Sequence, residues 1–131
     1  MVGVALDTNT LSYFLRGEGG VAERLRATAP REVALPALVV YEISFGLRRA
    51  RRQAQLEAFG RMVQVTTVLD FDLACADHAA RIRVELEARG TPIGPHDLLI
   101  AATARRYERV LVTHNTREFA RVPDLALDDW Y

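Results

Sequence analysis

Short apolar runs alternate with helix-forming stretches along this chain. The first run, 2–6, ends abruptly at the carboxylate of Asp7. An unbroken apolar run of strand length is typical of a strand buried on both faces, as in a parallel sheet. Helix-forming sequence follows directly, from Thr8 to Arg16, and a glycine-rich linker at 17–20 ends it. The pattern therefore predicts a strand that passes straight into a helix, with Asp7 at the junction.

The same alternation continues along the rest of the sequence. We predict further strands at 32–36, 63–69, 110–113 and 125–130. We predict further helices at 21–28, 38–50, 51–62, 71–89 and 95–104, and a short one that contains Glu118 and Phe119. This order of elements predicts a parallel sheet sandwiched between helices, in an α/β fold.

The composition indicates an ordinary folded domain. The sequence has 131 residues, of which 50% are hydrophobic and 26% charged, so we expect one domain over residues 1–131. No secretion signal is recognisable, and no apolar run approaches the roughly 20 residues that span a bilayer. The single cysteine, Cys75, allows no internal disulfide. We therefore expect a cytoplasmic protein with no membrane partner.

The charged residues exclude several kinds of site. Basic and acidic residues number 17 each, and every basic residue is an arginine. The absence of lysine excludes the phosphate-binding lysine of a nucleotide P-loop, a Schiff base and the strand lysine of a kinase. No GxGxxG motif follows a predicted strand, so nothing in the sequence supports dinucleotide binding.

Acidic residues lie at three places where a strand ends or a helix meets the predicted sheet. Asp7 follows the first strand, where the reactive groups of open α/β sheets gather, although a helix N-cap is the alternative role. Glu42 interrupts an apolar helix, and a buried carboxylate is costly unless it is paired, hydrogen-bonded or bound to a metal. A solvent edge or a flanking arginine is the alternative for Glu42. Asp97 lies in a first helical turn after Pro95, where the helix dipole or a capping bond would equally favour an acid.

A second polar stretch follows the fourth predicted strand. It contains Thr113, Asn115 and Glu118. Asn115 or Thr116 could cap the short helix, with Glu118 near capping-box spacing, and Asn115 and Glu118 could equally face a pocket. The three histidines lack the spacing of a zinc site, and surface or loop positions are expected for them.

Together these polar residues predict a cluster of hard oxygen ligands at one edge of the sheet. Carboxylates suit Mg²⁺ or Mn²⁺, and Mg²⁺ usually keeps bound waters and uses only one or two carboxylates. A divalent ion there serves phosphodiester hydrolysis, because it binds the phosphate, lowers the pKa of a water and offsets the developing charge. The sequence therefore favours a metal-dependent nuclease.

Four motifs in this order resemble those of PIN-domain ribonucleases, and more narrowly those of the VapC toxins of bacterial VapBC toxin–antitoxin pairs. They lie at 6–9, 41–42, 93–102 and 112–119, and the ending at 127–130 is similar to those toxins as well. The resemblance spans the whole chain and implies a three-layer α/β/α fold with a mostly parallel central sheet. It implies Mg²⁺-dependent endonucleolytic cleavage of structured RNA, in a tRNA or ribosomal RNA loop. It also implies a VapB-type antitoxin that blocks the site, a homodimer and toxin–antitoxin hetero-oligomers.

The resemblance assigns roles to individual residues. Asp7, Glu42 and Asp97 match the acidic triad that would hold the metal, with Mn²⁺ possible in place of Mg²⁺. Many family members have an aspartate where this chain has Asn115, so Glu118 is the candidate fourth catalytic acid. The supporting polar residues would be Asn9, Thr113 and Asn115.

Two further expectations concern binding surfaces. The candidate phosphate contacts for the RNA are Arg48, Arg49, Arg51 and Arg52, for which a solvated helix end is the alternative. We expect the antitoxin's C-terminal segment in an apolar groove near the first two helices, using some of Leu11, Phe14, Leu15, Leu25 and Tyr41. The alternative to an enzyme is a non-catalytic PIN-like module that binds RNA or protein, and the intact acidic triad speaks against it.

Overall fold

Five strands in the part of the chain that the structure describes, residues 3–131, form one sheet in this computed structural model. They are β1 (Val4–Leu6), β2 (Val33–Pro36), β3 (Thr67–Leu69), β4 (Val110–Val112) and β5 (Leu127–Asp128). The α-helices of the same range are α1 (Thr8–Arg16), α2 (Val21–Arg26), α3 (Ala37–Arg49), α4 (Gln53–Val65), α5 (Leu73–Ala88), α6 (Pro95–Arg106) and α7 (Thr116–Phe119). A short 3₁₀-helix at Pro30–Glu32 precedes β2. The predicted start of the first strand at Val2 lies outside the described residues.

The sheet has the strand order β3-β2-β1-β4-β5, and every neighbouring pair is parallel. All four residues of β2 are buried, so helices cover both faces of the sheet. The predicted three-layer α/β/α fold with a parallel sheet is therefore confirmed. That residues 1–131 form a single domain stays a prediction.

The core lies between the sheet and its helices. Leu6, Leu35 and Leu111 contribute buried side chains from three strands, and Phe59 and Ile100 contribute from α4 and α6. Each side chain of this size contributes roughly 1.5–3 kcal/mol when it is fully buried. The helix α6 adds a run of buried small residues, Ala101, Ala102 and Ala104. These small side chains let α6 pack closely on the sheet, which fixes the position of the residues at its N-terminal end.

Two predicted boundaries are wrong. The strand predicted at 63–69 begins later, because α4 continues to Val65 and β3 starts at Thr67. Phe59 and Met62 pack against the core at helical spacing, so the helix continues through the β-branched residues Val63 and Val65. Thr66 ends it, with its N–H and its hydroxyl both donating to the Met62 carbonyl.

The last strand is also shorter than the predicted 125–130. The chain turns after β5 because the Asp128 carboxylate accepts from the Asp129 N–H, and the Asp129 carboxylate accepts from the Tyr131 N–H. Trp130 then lies buried against the core instead of continuing the strand. Among residues 3–131, no helix has the length and apolar character that crossing a membrane requires.

Candidate active site

The carboxyl ends of β1, β4 and β5 form the edge at which the polar residues gather. The strand order reverses between β1 and β4, and a crevice opens at such a reversal in α/β sheets. Asp7 follows β1, Thr113 follows β4 and Asp129 follows β5. Three neighbouring strands therefore end in a polar side chain at one edge of the sheet.

Asp7 is a buried carboxylate, only 3% exposed. It is the N-cap of α1, since its Oδ1 accepts a hydrogen bond of 2.9 Å from the Thr10 N–H. Its own N–H donates to the Val112 carbonyl at 3.1 Å, which ties the junction to β4. Burial raises the pKa of the Asp7 carboxyl; hydrogen bonds from Thr113 and Thr10 oppose this change, and the charge of Asp129 adds to it. The capping role considered for Asp7 is thus confirmed, but capping does not explain why the charge is buried.

Glu42 extends from α3 toward the starts of α1 and α6. One of its oxygens accepts a hydrogen bond of 2.7 Å from the Thr8 hydroxyl, and the other lies 3.0 Å from His96 Nδ1. The Glu42 side chain is 23% exposed and thus half-buried. Within residues 3–131 no arginine pairs with Glu42, so that alternative is wrong. Its two contacts instead join α1, α3 and α6.

Asp97 is the third residue of α6. The helix begins at Pro95, and Gly94 is its N-cap without a side-chain capping bond. The capping role considered for Asp97 is therefore wrong. Asp97 is half-buried beside Gly94, where a Cβ on the glycine would lie 4.0 Å from Asp97 Oδ2.

Three other acids lie close enough to Asp97 for their charges to act on its pKa. Burial, followed by the negative charges of Glu118, Asp7 and Glu42 in decreasing order, raises the pKa of the Asp97 carboxyl to about 6. His96 acts in the opposite direction. Like charges this close favour a neutral acid unless a cation enters. Within residues 3–131 no arginine pairs with these acids, so negative charge is in excess there.

Glu118 is fixed by two hydrogen bonds. Its Oε1 accepts from the Gly94 N–H at 3.2 Å, and its Oε2 accepts from Asn115 Nδ2 at 2.8 Å. Asn115 is the N-cap of α7, but its side chain makes no capping bond, and its N–H donates to the Thr113 hydroxyl at 3.0 Å. Instead of capping α7, the Asn115 side chain holds Glu118 beside the start of α6.

Some of the predicted site residues do not contact the acids in the structure. Asn9 is exposed on the first turn of α1, and no side-chain hydrogen bond of Asn9 occurs within residues 3–131. The four candidate RNA-binding arginines are exposed and follow one another around the end of α3. None of them forms an ion pair in the described part of the chain. They therefore lie at a solvated helix end, as the alternative role required, but they lack the nearby acidic partners that this alternative included.

Sequence reasoning missed several contributors. Thr8 orients Glu42, and no sequence signal distinguishes it from other helix-start threonines. Asp129 acts on the pKa of Asp7, and it follows the last strand just as Asp7 follows the first, a pattern that would have found it. His114 Nδ1 lies 2.9 Å from Asp129 Oδ2, and the His114 ring stacks on Tyr131 with 4.3 Å between centroids.

The chemistry of these ligands fits a hard divalent cation. Within residues 3–131, no group of three or more His, Cys, Asp or Glu side chains is placed to hold a metal ion. Mg²⁺ does not need one, because it takes one or two carboxylates and completes its shell with water. The raised pKa of Asp97 supports this fit, because a buried group of carboxylates with no arginine partner calls for a cation.

Comparison with known proteins gives a consistent picture. The sequence pattern of the PIN domain family matches residues 4–125. A tRNA(fMet)-specific endonuclease VapC from Salmonella typhimurium is 33% identical over 135 residues, which cover 99% of each chain. Ribonuclease VapC2 from Rickettsia felis is 33% identical over 131 residues, which cover 95% of this chain and 96% of the relative.

Solved structures agree with the sequence comparison. DNA-bound VapBC from Salmonella typhimurium contains a chain that superimposes with a TM-score of 0.91 at 32% identity, with 100% of both chains covered. FitAcB from Neisseria gonorrhoeae contains one with a TM-score of 0.83 at 26% identity, with 95% of both chains covered.

Proposed function

Since the chain belongs to the PIN domain family, and within it to the VapC ribonucleases, we propose that it is the toxin of a toxin–antitoxin pair and an endoribonuclease. One observation carries the proposal. The carboxylates of Asp7, Glu42 and Glu118 come from separate segments, and all three lie close enough to Asp97 for their charges to raise its pKa. No arginine within residues 3–131 pairs with any of them.

A divalent cation would supply the missing positive charge. Ribonucleases with a PIN domain depend in general on a divalent metal. We assign Mg²⁺ to this site, with Mn²⁺ as the second choice, because both prefer hard oxygen ligands. Asp7, Asp97 and Glu42 would hold it. When bound, such an ion supplies a Lewis acid for the phosphate and a water of lowered pKa.

The chain's own residues would keep the acids in place for RNA. Thr8 and His96 hold Glu42, which leaves little freedom for its carboxylate to swing away. Asn115 holds Glu118 as the fourth catalytic acid. We also assign supporting roles to Thr113, through its bond to Asp7, and to Asn9, on the first turn of α1.

The experiment is an RNA cleavage assay on the purified protein, with transfer and ribosomal RNA as substrates. Wild type is expected to cleave with MgCl₂ and to stop with EDTA. Asp97→Asn keeps the size of the side chain but removes its charge, so cleavage should fall at least ~10²-fold, as for the loss of one preorganised electrostatic group. The matched control is Asp77→Asn, which changes an exposed aspartate paired with Arg81 on α5. Equal activity of the two variants would refute the metal-ligand role.

We propose a structured RNA, a tRNA or ribosomal RNA loop, as the substrate, because relatives at 30% identity or more are named endonucleases or ribonucleases. Activity on RNA also leads us to propose a cytoplasmic location. Solved relatives come from VapBC complexes, so we propose a VapB-type antitoxin as partner, with a homodimer and toxin–antitoxin hetero-oligomers as assemblies.

An apolar groove between α1, α2 and α4 is the surface we assign to the antitoxin. It has a volume of about 320 Å³, and Phe14, Leu15 and Leu25 line it as expected. Met62 and Val65 complete it from α4, where Val65 is 64% exposed. Two other expected residues do not line it: Leu11 is buried in the core, and Tyr41 is exposed on α3 outside the groove.

A further inference from the structure

A separate recess opens beside Glu42, between α1, α3 and α4. Its volume is about 290 Å³, and Thr8 and Glu42 belong to its lining. A molecule that fills this recess therefore lies directly beside the acid pocket. The volume is close to the lower end of small-molecule sites, about 300 to 1,000 Å³. One base or nucleoside matches that size better than a longer segment.

The recess contains a buried hydrogen-bond acceptor without a partner. Gln55, the third residue of α4, lines the recess, and its Oε1 is buried with no hydrogen bond to any of residues 3–131. Buried polar atoms in native proteins are nearly always paired, and an unpaired one calls for an explanation. A ligand N–H group entering the recess would satisfy it.

The remaining lining suits a nucleotide. The side chains of Leu15, Ile43 and Leu47 form apolar walls, against which a planar base can pack. Arg52 brings a guanidinium group to the same recess, and Arg16 lines it as well but pairs with Glu18 at 3.1 Å. Guanidinium groups bind phosphate oxygens through paired hydrogen bonds, so a base inside would leave its phosphates near them.

The charge of Arg52 argues against a basic peptide as the occupant. A lysine or arginine side chain from a protein partner would be attracted by Glu42 in the lining, but Arg52 would repel it. Arg52 is exposed and forms no ion pair within residues 3–131, so its charge is free to act on a ligand. A phosphate-bearing ligand is favoured.

We propose that this recess binds one unpaired base of the RNA, next to the phosphodiester bond that is cut, and that Gln55 accepts a hydrogen bond from an N–H on the base edge. Unpaired bases are read in this way by proteins that bind loops and single strands. The inference rests on the proposed function, since it names the part of the RNA that the same site recognises.

Glycine residues supply a matched pair of test variants. Gly46 lies on α3 in the lining of the recess, and a Cβ there would meet no atom within 4 Å, so Gly46→Met would project into open space and fill it. Gly60 lies on α4 outside the recess, and a Cβ there also meets no atom within 4 Å. Both changes replace an exposed helical glycine with a better helix former, so their effects on folding should match.

Binding is measured in the cleavage-deficient Asp97→Asn background by fluorescence anisotropy, with a short fluorescein-labelled single-stranded RNA of mixed sequence. Gly46→Met should weaken RNA binding at least about tenfold, the effect of losing one bound base. Gly60→Met should stay within about twofold, as for other surface changes. Equal affinities of the two variants, or no RNA binding by Asp97→Asn itself, would overturn the proposal.

A second pair keeps the test decisive if Gly46→Met fails to fold. Gln55→Leu removes the unpaired acceptor and should weaken RNA binding about fivefold, the size of one neutral hydrogen bond. Gln64→Leu changes an exposed glutamine near the end of α4 and is the control. Unchanged affinity of Gln55→Leu would contradict the role given to Gln55.

Failure of this inference differs from failure of the proposed function. If wild type cleaves RNA while Gly46→Met binds RNA normally but no longer binds the antitoxin, the recess belongs to the antitoxin and the inference is wrong. If RNA binding depends on Gly46 but wild type cleaves no RNA, the recess stands and the proposed enzyme activity fails.

Discussion

At the scale of single residues, the acids of the site work against the stability of the free protein. Asp7 gains a capping bond with Thr10, but it is buried without a compensating arginine. Burial raises its pKa, which means that the charged form is less favourable in the folded state than in the unfolded chain. A site built to hold a cation carries this cost when the cation is absent.

Asp7→Asn should therefore stabilise the metal-free protein. The amide oxygen can still accept from the Thr10 N–H, and only the charge is lost. The free energy of unfolding should increase by about 1 kcal/mol. This is the part of the repulsion between neighbouring carboxylates that remains after proton uptake. The melting temperature in EDTA should rise by roughly 2–6 °C. Added Mg²⁺ should stabilise wild type but scarcely affect the variant. A variant that melts below wild type in EDTA would show that Asp7 is a cap and nothing more.

Asp97 should make the stability of the metal-free protein depend on pH. Its folded pKa, about 6, lies above the ordinary 3.8, so the folded state binds the proton more tightly. The stabilisation that the protonated Asp97 carboxyl contributes is fully present below about pH 4 and is lost as pH rises through about 6. The change corresponds to at most roughly 3 kcal/mol.

Urea unfolding in EDTA at acidic and neutral pH measures this dependence. The Asp97→Asn variant has no such proton to bind, so its free energy of unfolding should rise relative to that of wild type as pH rises from about 4 to 7. Parallel pH profiles for the two proteins would show that the surrounding carboxylates do not act on Asp97.

At the scale of elements, the aspartate at the start of α5 has a different role from the aspartate at the start of α1. Asp72 is the N-cap of α5, since its Oδ1 accepts from the Cys75 N–H at 2.9 Å. Its Oδ2 accepts from Arg106 at 3.0 Å, near the end of α6. Arg106 Nε is buried and has no partner in the described part of the chain, so the bond to Asp72 is what holds this guanidinium. The cap therefore also joins the two helices whose packing sets the position of Asp97.

Asp72→Ala should lower the melting temperature by several degrees, because it removes the cap and leaves Arg106 without its acid. Asp72→Asn should lower it less, since the amide can still accept from the Cys75 N–H. The N–H of Cys75, followed by Arg106, holds the pKa of Asp72 down to about 2. This stabilisation is therefore present above about pH 4 and is lost as pH falls through about 2. Equal thermal melts for wild type and Asp72→Ala at neutral pH would contradict the capping role.

At the scale of the whole molecule, the acid pocket and the apolar groove are separate surfaces. The groove is lined mainly from α1, α2 and α4, and none of the four site acids belongs to its lining. Changes in the groove should therefore affect binding of the antitoxin without affecting RNA cleavage.

Val65→Glu should weaken the complex with the antitoxin by about tenfold or more, because Val65 lines the groove but is 64% exposed in the free protein, and the change buries a charge in the apolar contact. RNA cleavage by the free protein should stay unchanged. Leu73→Glu is the control, since Leu73 is 87% exposed at the start of α5, outside the groove. Co-purification and titration with the antitoxin distinguish the two variants. Equal antitoxin affinities for both would place the partner elsewhere on the surface.

The sequence alone was sufficient for the order of elements and for three of the acids. Apolar runs of strand length and helical periodicity are local properties, so the chain shows them before it folds. Asp7 could be found because it follows an apolar strand at once, and Glu42 because it interrupts an apolar helix. Asp97 could be found because it follows Pro95 at a helix start. For the same reason the end of α4 was misplaced, since Val63 and Val65 suit a strand locally, whereas the core contacts of Phe59 and Met62 keep this segment helical.

Only the tertiary structure decided which of these residues meet. The placement of β1 between β2 and β4 depends on contacts between distant segments, and it brings Asp7 and Thr113 to one edge. Thr8 and Glu42 are 34 residues apart, and Gly94 and Glu118 are 24 apart. No local pattern encodes such hydrogen bonds, because they form only after the helices have packed. The raised pKa of Asp97 arises in the same way, from burial and from three charges that packing brings together.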